Sequence, residues 1–167
     1  MATRMTGFNE LASRMNRLSA NIQREVKETV EFYAGEIEVE AIRNAPGPGS
    51  QVSTQQGTEP LSQIVNGRGW TPVSQAIGYS IGNQGYSAEI FIERSAGDVA
   101  IWIEMGTGQD ATRYLATVPP EWASEARKYY INGRGTILAK PYLLPAFLRN
   151  KPLMIQELKN ILRNATL

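Results

Sequence analysis

The residues of this chain that could carry out chemistry are few, because it contains no histidine and no cysteine. Without them it lacks the commonest general base, the commonest metal ligand, disulfides and thiolate metal sites. Nucleophilic catalysis would then need a serine–lysine or threonine arrangement. Ser124 and Lys128 would share one face of a short helix, but their spacing of i and i+4 is common by chance. The sequence therefore predicts no catalytic residues and a protein that is not an enzyme.

Two further groups of residues resemble binding sites only in part. Glu36 and Glu40 share a helix face at i and i+4, while Glu38 points away from both. Two carboxylates alone make a weak metal site, so we interpret them as a solvated acidic surface. Asn132 to Gly135 holds too few glycines for a phosphate-binding loop and lacks the lysine–serine pair of such loops. We expect no metal and no cofactor.

The overall composition favours an ordinary globular protein with a real apolar core. Hydrophobic residues make up 42% of the chain, and 17 basic against 16 acidic residues leave a net charge of +1. Dedicated nucleic-acid binders usually carry a basic excess, so this near-balance lowers that expectation. No run approaches the roughly 20 apolar residues of a membrane helix, and the N-terminus lacks the apolar core of a signal peptide. We expect one soluble, non-secreted domain over residues 1–167.

The chain is organised around the stretch Asp98 to Gly108, D-V-A-I-W-I-E-M-G-T-G. Its apolar residues alternate with other residues up to the glycines, which predicts a strand with one buried face. We expect Ile103 on the buried face against the first helix. Glu104 then points the other way, where it is exposed, paired with a base such as Lys140, or part of an ion pair between subunits. An outward-facing Trp102 would suit a subunit interface, since aromatic residues anchor buried contacts.

Before this stretch the sequence predicts a long helix and then a long loop. Apolar residues recur at threes and fours from Phe8 to about Ile42, and Pro46 stops the pattern. At about 35 residues this helix would be roughly 50 Å long, so it must project, bend near Gly35, or lie across a neighbouring subunit; a coiled coil is the alternative. The loop, residues 45–69, is rich in proline, glycine and small polar residues. It is either a floppy insertion or an arm that orders on a partner through Leu61, Ile64 and Val65.

The remaining elements complete an α+β fold. Strands near Pro72–Ile81 and Tyr86–Ile92, joined by a turn at Gly82–Gly85, would form an antiparallel meander with the central stretch. A helical insertion is expected within residues 109–135, and a short fourth strand near Gly135–Lys140. A C-terminal helix should run from about Leu144 to Asn164, with a kink or a new start at Pro152. The predicted fold is a long N-terminal helix packed on an antiparallel sheet of three to four strands, with a C-terminal helix.

This order of elements resembles the neck or tail-completion family of long-tailed bacteriophages, which are small head–tail joining proteins. Ile103-Glu104-Met105-Gly106-Thr107 is similar to the family phrase V-E-F-G-T, and Lys140-Pro141-Tyr142-Leu143-Leu144-Pro145-Ala146 to R-P-F-L-R-P-A. Asn44-Ala45-Pro46 and the glycines after it resemble the A-P-x-x-x-G that follows the family's first helix. The resemblance extends over most of the chain, with a longer loop at 45–69 and the helical insert as departures.

The resemblance implies a structural virion protein that acts by assembly. Its subunits would form a ring, a hexamer or a dodecamer, between the head-completion or connector proteins and the tail tube or tail terminator. Genomic DNA would pass through the ring without specific binding. The residues expected at the subunit interface are Leu61, Ile64, Val65, Trp102, Glu104 and Lys140. A non-viral binding module with a projecting helix and a histidine-free hydrolase are the alternatives.

Overall fold

Two long helices and two antiparallel hairpins dominate the chain in the computed structural model, which describes residues 19–47, 49–54, 56–60, 71–120, 123 and 136–165. The predicted α+β class, with an N-terminal and a C-terminal helix, is confirmed. The predicted single sheet of three to four strands is wrong, because the described strands form two separate two-stranded sheets.

The first helix, α1, spans Ala20–Asn44 and is continuous through Gly35, where a bend was one of the alternatives. It ends where predicted, because the extended backbone of Ala45 precedes Pro46. Its buried residues follow the helical spacing and line one face: Val26, Thr29, Val30, Ala34, Ile37 and Ala41. The predicted start of this helix near Phe8 lies outside the described residues.

The two strands predicted near Pro72–Ile81 and Tyr86–Ile92 form an antiparallel hairpin, almost as expected. Strand β3 (Ile77–Gly82) pairs antiparallel with β4 (Ser87–Ile92), and α1 contacts both strands. The turn between them holds Asn83 and Gln84 at positive φ, 48° and 58°. The residues just before β3 form a short helix, α2 (Val73–Ala76), where the sequence pattern predicted the beginning of the strand.

The predicted third strand is wrong, because this stretch is a short helix, α3 (Val99–Met105). Its buried positions 99, 100, 103 and 104 are those of one helical face, and 105 is buried as well. A short helix that is enclosed on most sides needs apolar residues at nearly every position, so alternation over seven residues does not separate it from a strand. Gly97 and Gly106, at φ 61° and 73°, bound it on either side.

The predicted loop at 45–69 contains a second hairpin among its described residues, so that part of the prediction is wrong. Strand β1 (Gln51–Thr54) pairs with β2 (Gly57–Pro60), and Val52 is 1% exposed in the core. The backbone N–H of Leu138 donates to the carbonyl of Ser53, which ties this hairpin to the later chain. Deletion of residues 51–58 should therefore destabilise the chain, because it removes the buried Val52 from the core.

The last part of the chain is more helical than its strand prediction indicated. Helix α4 (Gly108–Leu115) lies at the start of the segment, 109–135, in which the helical insertion is expected; residues 121, 122 and 124–135 of that segment lie outside the described ones. The predicted fourth strand near 135–140 is reduced, within its described residues, to a single bridge between Ile137 and Thr54. Helix α5 (Leu143–Asn164) is confirmed, and Pro152 lies inside it.

Helices α1 and α5 run antiparallel, and both contribute residues to the two apolar clusters found among the described residues. The Asn150 side chain donates to Glu40 at one end, while Val26 and Tyr86 pack with Leu158 and Ile161 at the other. The larger cluster lies around α3 and the start of α5, and it includes Ile37, Val52, Ile77, Ile103, Tyr142 and Leu144. The larger cluster of the core therefore lies where Ile103–Thr107 meets Lys140–Ala146, the two stretches that resemble phrases of the phage family.

Candidate functional site

The best-defined polar site is a buried carboxylate at the start of α5. Glu104, near the end of α3, is 2% exposed. Its Oε2 accepts the backbone N–H groups of Tyr142 at 2.7 Å and Leu143 at 2.9 Å. Its Oε1 accepts the backbone N–H of Leu144 at 3.0 Å and the hydroxyl of Tyr114 at 3.4 Å. Both oxygens are thus occupied by donors.

This arrangement caps α5 with a side chain from a different helix. The first N–H groups of a helix have no acceptor within the helix, and the N-terminus carries a partial positive charge. Tyr142 occupies the N-cap position of α5, but its side chain makes no capping hydrogen bond. Glu104 instead supplies the missing acceptors, so α3 fixes the position at which α5 begins.

Burial and hydrogen bonding act on the Glu104 carboxyl in opposite directions. Burial raises the pKa of Glu104 above its ordinary value, while the bonds from Leu143, Tyr142, Leu144 and Tyr114 oppose that rise. Burial and the nearby Glu104 also raise the pKa of Tyr142 well above its ordinary value. The Tyr142 phenol therefore keeps its proton, and its O–H donates a hydrogen bond to the carbonyl of Ala100 at 3.0 Å.

Backbone hydrogen bonds extend the same contact along both segments. The N–H of Lys140 donates to the carbonyl of Ile103 at 2.8 Å. Thr107 is 4% exposed; its N–H donates to the carbonyl of Ile137, and its Oγ1 accepts the N–H of Ile137, both at 2.9 Å. We call this set of bonds, between residues 103–107 and 137–144, the Glu104 clamp. It joins the two phrases that carry the phage resemblance into one contact.

The clamp contradicts the predicted surroundings of Glu104. The carboxylate is neither exposed nor paired with the Lys140 side chain, which is exposed; its partners are backbone N–H groups and a tyrosine. The error follows from the predicted strand, since on a helix residues 103 and 104 can both be buried. Ile103 is fully buried, as predicted, in the same cluster as Ile37 and Ala41 of the first helix.

Of the other predicted interface residues, Trp102 and Lys140 lie in the described part of the chain. Trp102 is half-buried and packs against the larger core cluster, so it does not point outward as a free anchor. Leu61, Ile64 and Val65 lie outside the described residues. Leu61, Ile64 and Val65 therefore stay predictions as interface residues. Glu104 is buried within the subunit and so does not lie on a surface that a neighbour could contact.

The residues considered for chemistry form no catalytic or metal-binding arrangement in the part of the chain that is described. Glu40 lies against α5, where Asn150 donates to Oε2 at 3.0 Å and Arg149 approaches Oε1 at 2.7 Å. No group of three or more acidic or other metal-ligating residues occurs among the described positions. Ser124, Lys128 and the stretch 132–135 lie outside them.

Sequence reasoning missed Tyr142 and Tyr114 as partners of Glu104. The available signal was Glu104 itself, a charged residue inside an apolar run, because a charge that is buried must find hydrogen-bond partners. The start of a helix, at Leu143 after Pro141, offers such partners as free N–H groups. The Glu104 clamp provides acceptors for backbone groups and leaves no carboxylate oxygen open to a substrate, so its chemistry is structural.

Comparison with protein-family models, curated proteins and solved structures finds no match to this chain. None of the helices in the described ranges is long and apolar enough to cross a membrane. The sequence phrases and the geometry of the Glu104 clamp therefore carry the information on function.

Proposed function

We propose that this chain is a structural subunit of the neck of a tailed bacteriophage. It would form a ring that joins the capsid connector to the tail and lets the genome pass. The observation that carries the proposal is the ordered set of phrases from Ala45-Pro46 through I-E-M-G-T to K-P-Y-L-L-P-A. What supports it further is that the last two phrases contact each other through the Glu104 clamp, as one unit of tertiary structure.

The geometry of the clamp is suited to an assembly protein. A subunit of a ring has to hold its elements in fixed relative positions, because every interface repeats around the ring and the rotation must close. Glu104 ties α3 to the start of α5, and Thr107 ties the chain after α3 to Ile137. We propose that this unit keeps the subunit rigid while other surfaces bind its neighbours.

The charge of the chain fits a ring that conducts DNA without retaining it. Phosphate contacts by lysine and arginine give affinity for duplex DNA, and a net charge of +1 offers no general excess of them. The partners we propose are further copies of this chain, the head-completion or connector proteins on one side, and the tail tube or tail terminator on the other. The protein would reside in the virion after assembly in the host cytoplasm.

Gel filtration with light scattering tests the proposed assembly. We expect a closed hexamer or dodecamer of uniform mass, because a ring has a fixed number of subunits. Glu89→Ala replaces an exposed residue of β4 and should leave the mass of the assembly unchanged. A stable monomer that turns over an ester or peptide substrate would instead favour the hydrolase alternative. A monomer without turnover that captures another protein would favour the binding module.

A further inference from the structure

The outward face of α1 combines apolar and acidic residues. Phe32 and Val39, which are 59% and 50% exposed, lie at i and i+7 on the side opposite the buried Val30 and Ile37. The ring of Phe32 contacts Tyr33 edge-to-face, with 5.2 Å between ring centroids. The exposed charged residues around this stripe are Glu25, Glu28, Glu31 and Glu36, with Arg24 and Arg43. We call this surface the acidic face.

The outward face of α5 has the opposite charge. Leu148 and Leu153 are 46% and 49% exposed there. Three of the exposed charged residues on this helix are basic, Arg149, Lys159 and Arg163, and one, Glu157, is acidic. Arg149 approaches Glu40 of α1 but keeps 72% of its side chain exposed. Glu157 lies four positions after Leu153, and burial together with the nearby Glu157 raises the pKa of Tyr33 on α1. We call this surface the basic face.

We propose that the acidic face of one subunit docks on the basic face of a second copy of the same chain. Each face carries two large exposed apolar side chains. The four exposed acidic residues outnumber two arginines on the acidic face, where Arg24 pairs with Glu28 at 3.7 Å, and three basic residues outnumber Glu157 on the basic face. The two net charges are opposite, so the two faces complement each other. The inference rests on the proposed function, and it names the surfaces through which the ring would form.

The charges also restrict the type of contact. A two-fold dimer that pairs a face with itself brings like charges together, which opposes association. A two-fold dimer that pairs each face reciprocally with the other brings opposite charges together, as does a heterologous contact, which generates a ring when the rotation closes and an open chain when it does not. A ring of six or twelve, as proposed for the neck, requires the heterologous form, and the mass of the assembly distinguishes it from the dimer.

Thiol cross-linking tests which faces meet, since the chain has no cysteine of its own. Val39→Cys places a thiol on the acidic face and Leu153→Cys places one on the basic face. The two variants are mixed, with a peptide tag on one, so that the three possible cross-linked dimers differ in mass. The mixed dimer should predominate over both homotypic dimers. A matched pair with Glu89→Cys, on exposed β4, in place of Val39→Cys should give little product.

Charge reversal is the second arm. Glu25→Lys with Glu28→Lys, or Lys159→Glu with Arg163→Glu, should each weaken self-association at least about tenfold. All four substitutions in one chain should restore it, because a head-to-tail contact then has its signs exchanged on both sides. Glu89→Lys with Glu93→Lys makes an equal charge change on another exposed surface and should have no effect. Circular dichroism checks that each variant folds.

The outcomes separate this inference from the proposed function. Predominant homotypic cross-links, or a quadruple variant as weak as the double variants, contradict the docking of the two faces. A closed ring that lacks the mixed cross-link removes the interface and leaves the neck proposal standing. Mixed cross-links in open, polydisperse chains support the interface and contradict the ring. A monomer at every concentration contradicts both.

Discussion

Replacing Glu104 with alanine is expected to lower the free energy of unfolding by at least about 3 kcal/mol. Three buried backbone N–H groups, those of Tyr142, Leu143 and Leu144, would lose their acceptor, and each unpaired group costs about 1–3 kcal/mol. Denaturant unfolding measures the loss. This result reverses the small effect expected of an exposed glutamate, for which ion pairs contribute about 0–1 kcal/mol.

Two companion variants make the Glu104 test specific. Glu104→Gln keeps the length of the side chain but offers one accepting oxygen in place of two, so it should fall between the wild type and alanine. Glu89→Ala, on the exposed surface of β4, should change stability by less than about 0.5 kcal/mol. Equal and small losses for Glu104→Ala and Glu89→Ala would mean that Glu104 does not cap α5.

Replacing Ile103 with alanine is expected to cost about 2–5 kcal/mol, as large-to-small substitutions in a core do. Ile103 is fully buried in the cluster that joins Ile37, Val52 and Tyr142. Unlike the Glu104 variants, this one removes packing and leaves the hydrogen bonds to α5 in place. Ile103→Val, which deletes one methylene group, should cost about 0.5–1.5 kcal/mol.

The measurement for Ile103 is again denaturant unfolding, with the slope of the transition examined alongside its midpoint. An unchanged slope shows that the variant alters stability and leaves the compactness of the two states unchanged. A loss below about 0.5 kcal/mol for Ile103→Ala would contradict its place in the core. Because Ile103 and Glu104 are neighbours, the double variant should not be additive, and the coupling measures how far packing and capping depend on each other.

The sequence predicted the long periodic elements well because their patterns persist over several turns. The end of α1 before Pro46 and the whole of α5 follow from apolar residues at threes and fours. The β3–β4 hairpin follows from alternation on both sides of a glycine-rich turn. In both helices one face is buried and the other is not, so the pattern identifies the period.

The failures fall where tertiary contacts decide the structure. The stretch 99–105 alternates like a strand, but its β-branched residues are enclosed by neighbours and adopt a helix. Val52 occupies the core from a segment whose composition indicates a loop, because one buried residue in a short hairpin leaves almost no pattern. The Glu104 clamp could not be predicted from local spacing, since the three backbone N–H groups that donate to Glu104 lie 38 to 40 positions further along the chain.

The measurement that tests the neck proposal most directly is immunogold labelling of tailed particles purified from the strain whose genome encodes this chain. The label is an antibody raised against the purified protein, and electron microscopy gives its position on each particle. The account predicts gold at the junction between capsid and tail, and the Ile103→Ala strain should yield fewer joined particles because its subunit is less stable. Gold confined to the capsid shell or the tail tip, or intact particles that carry no label, would contradict it.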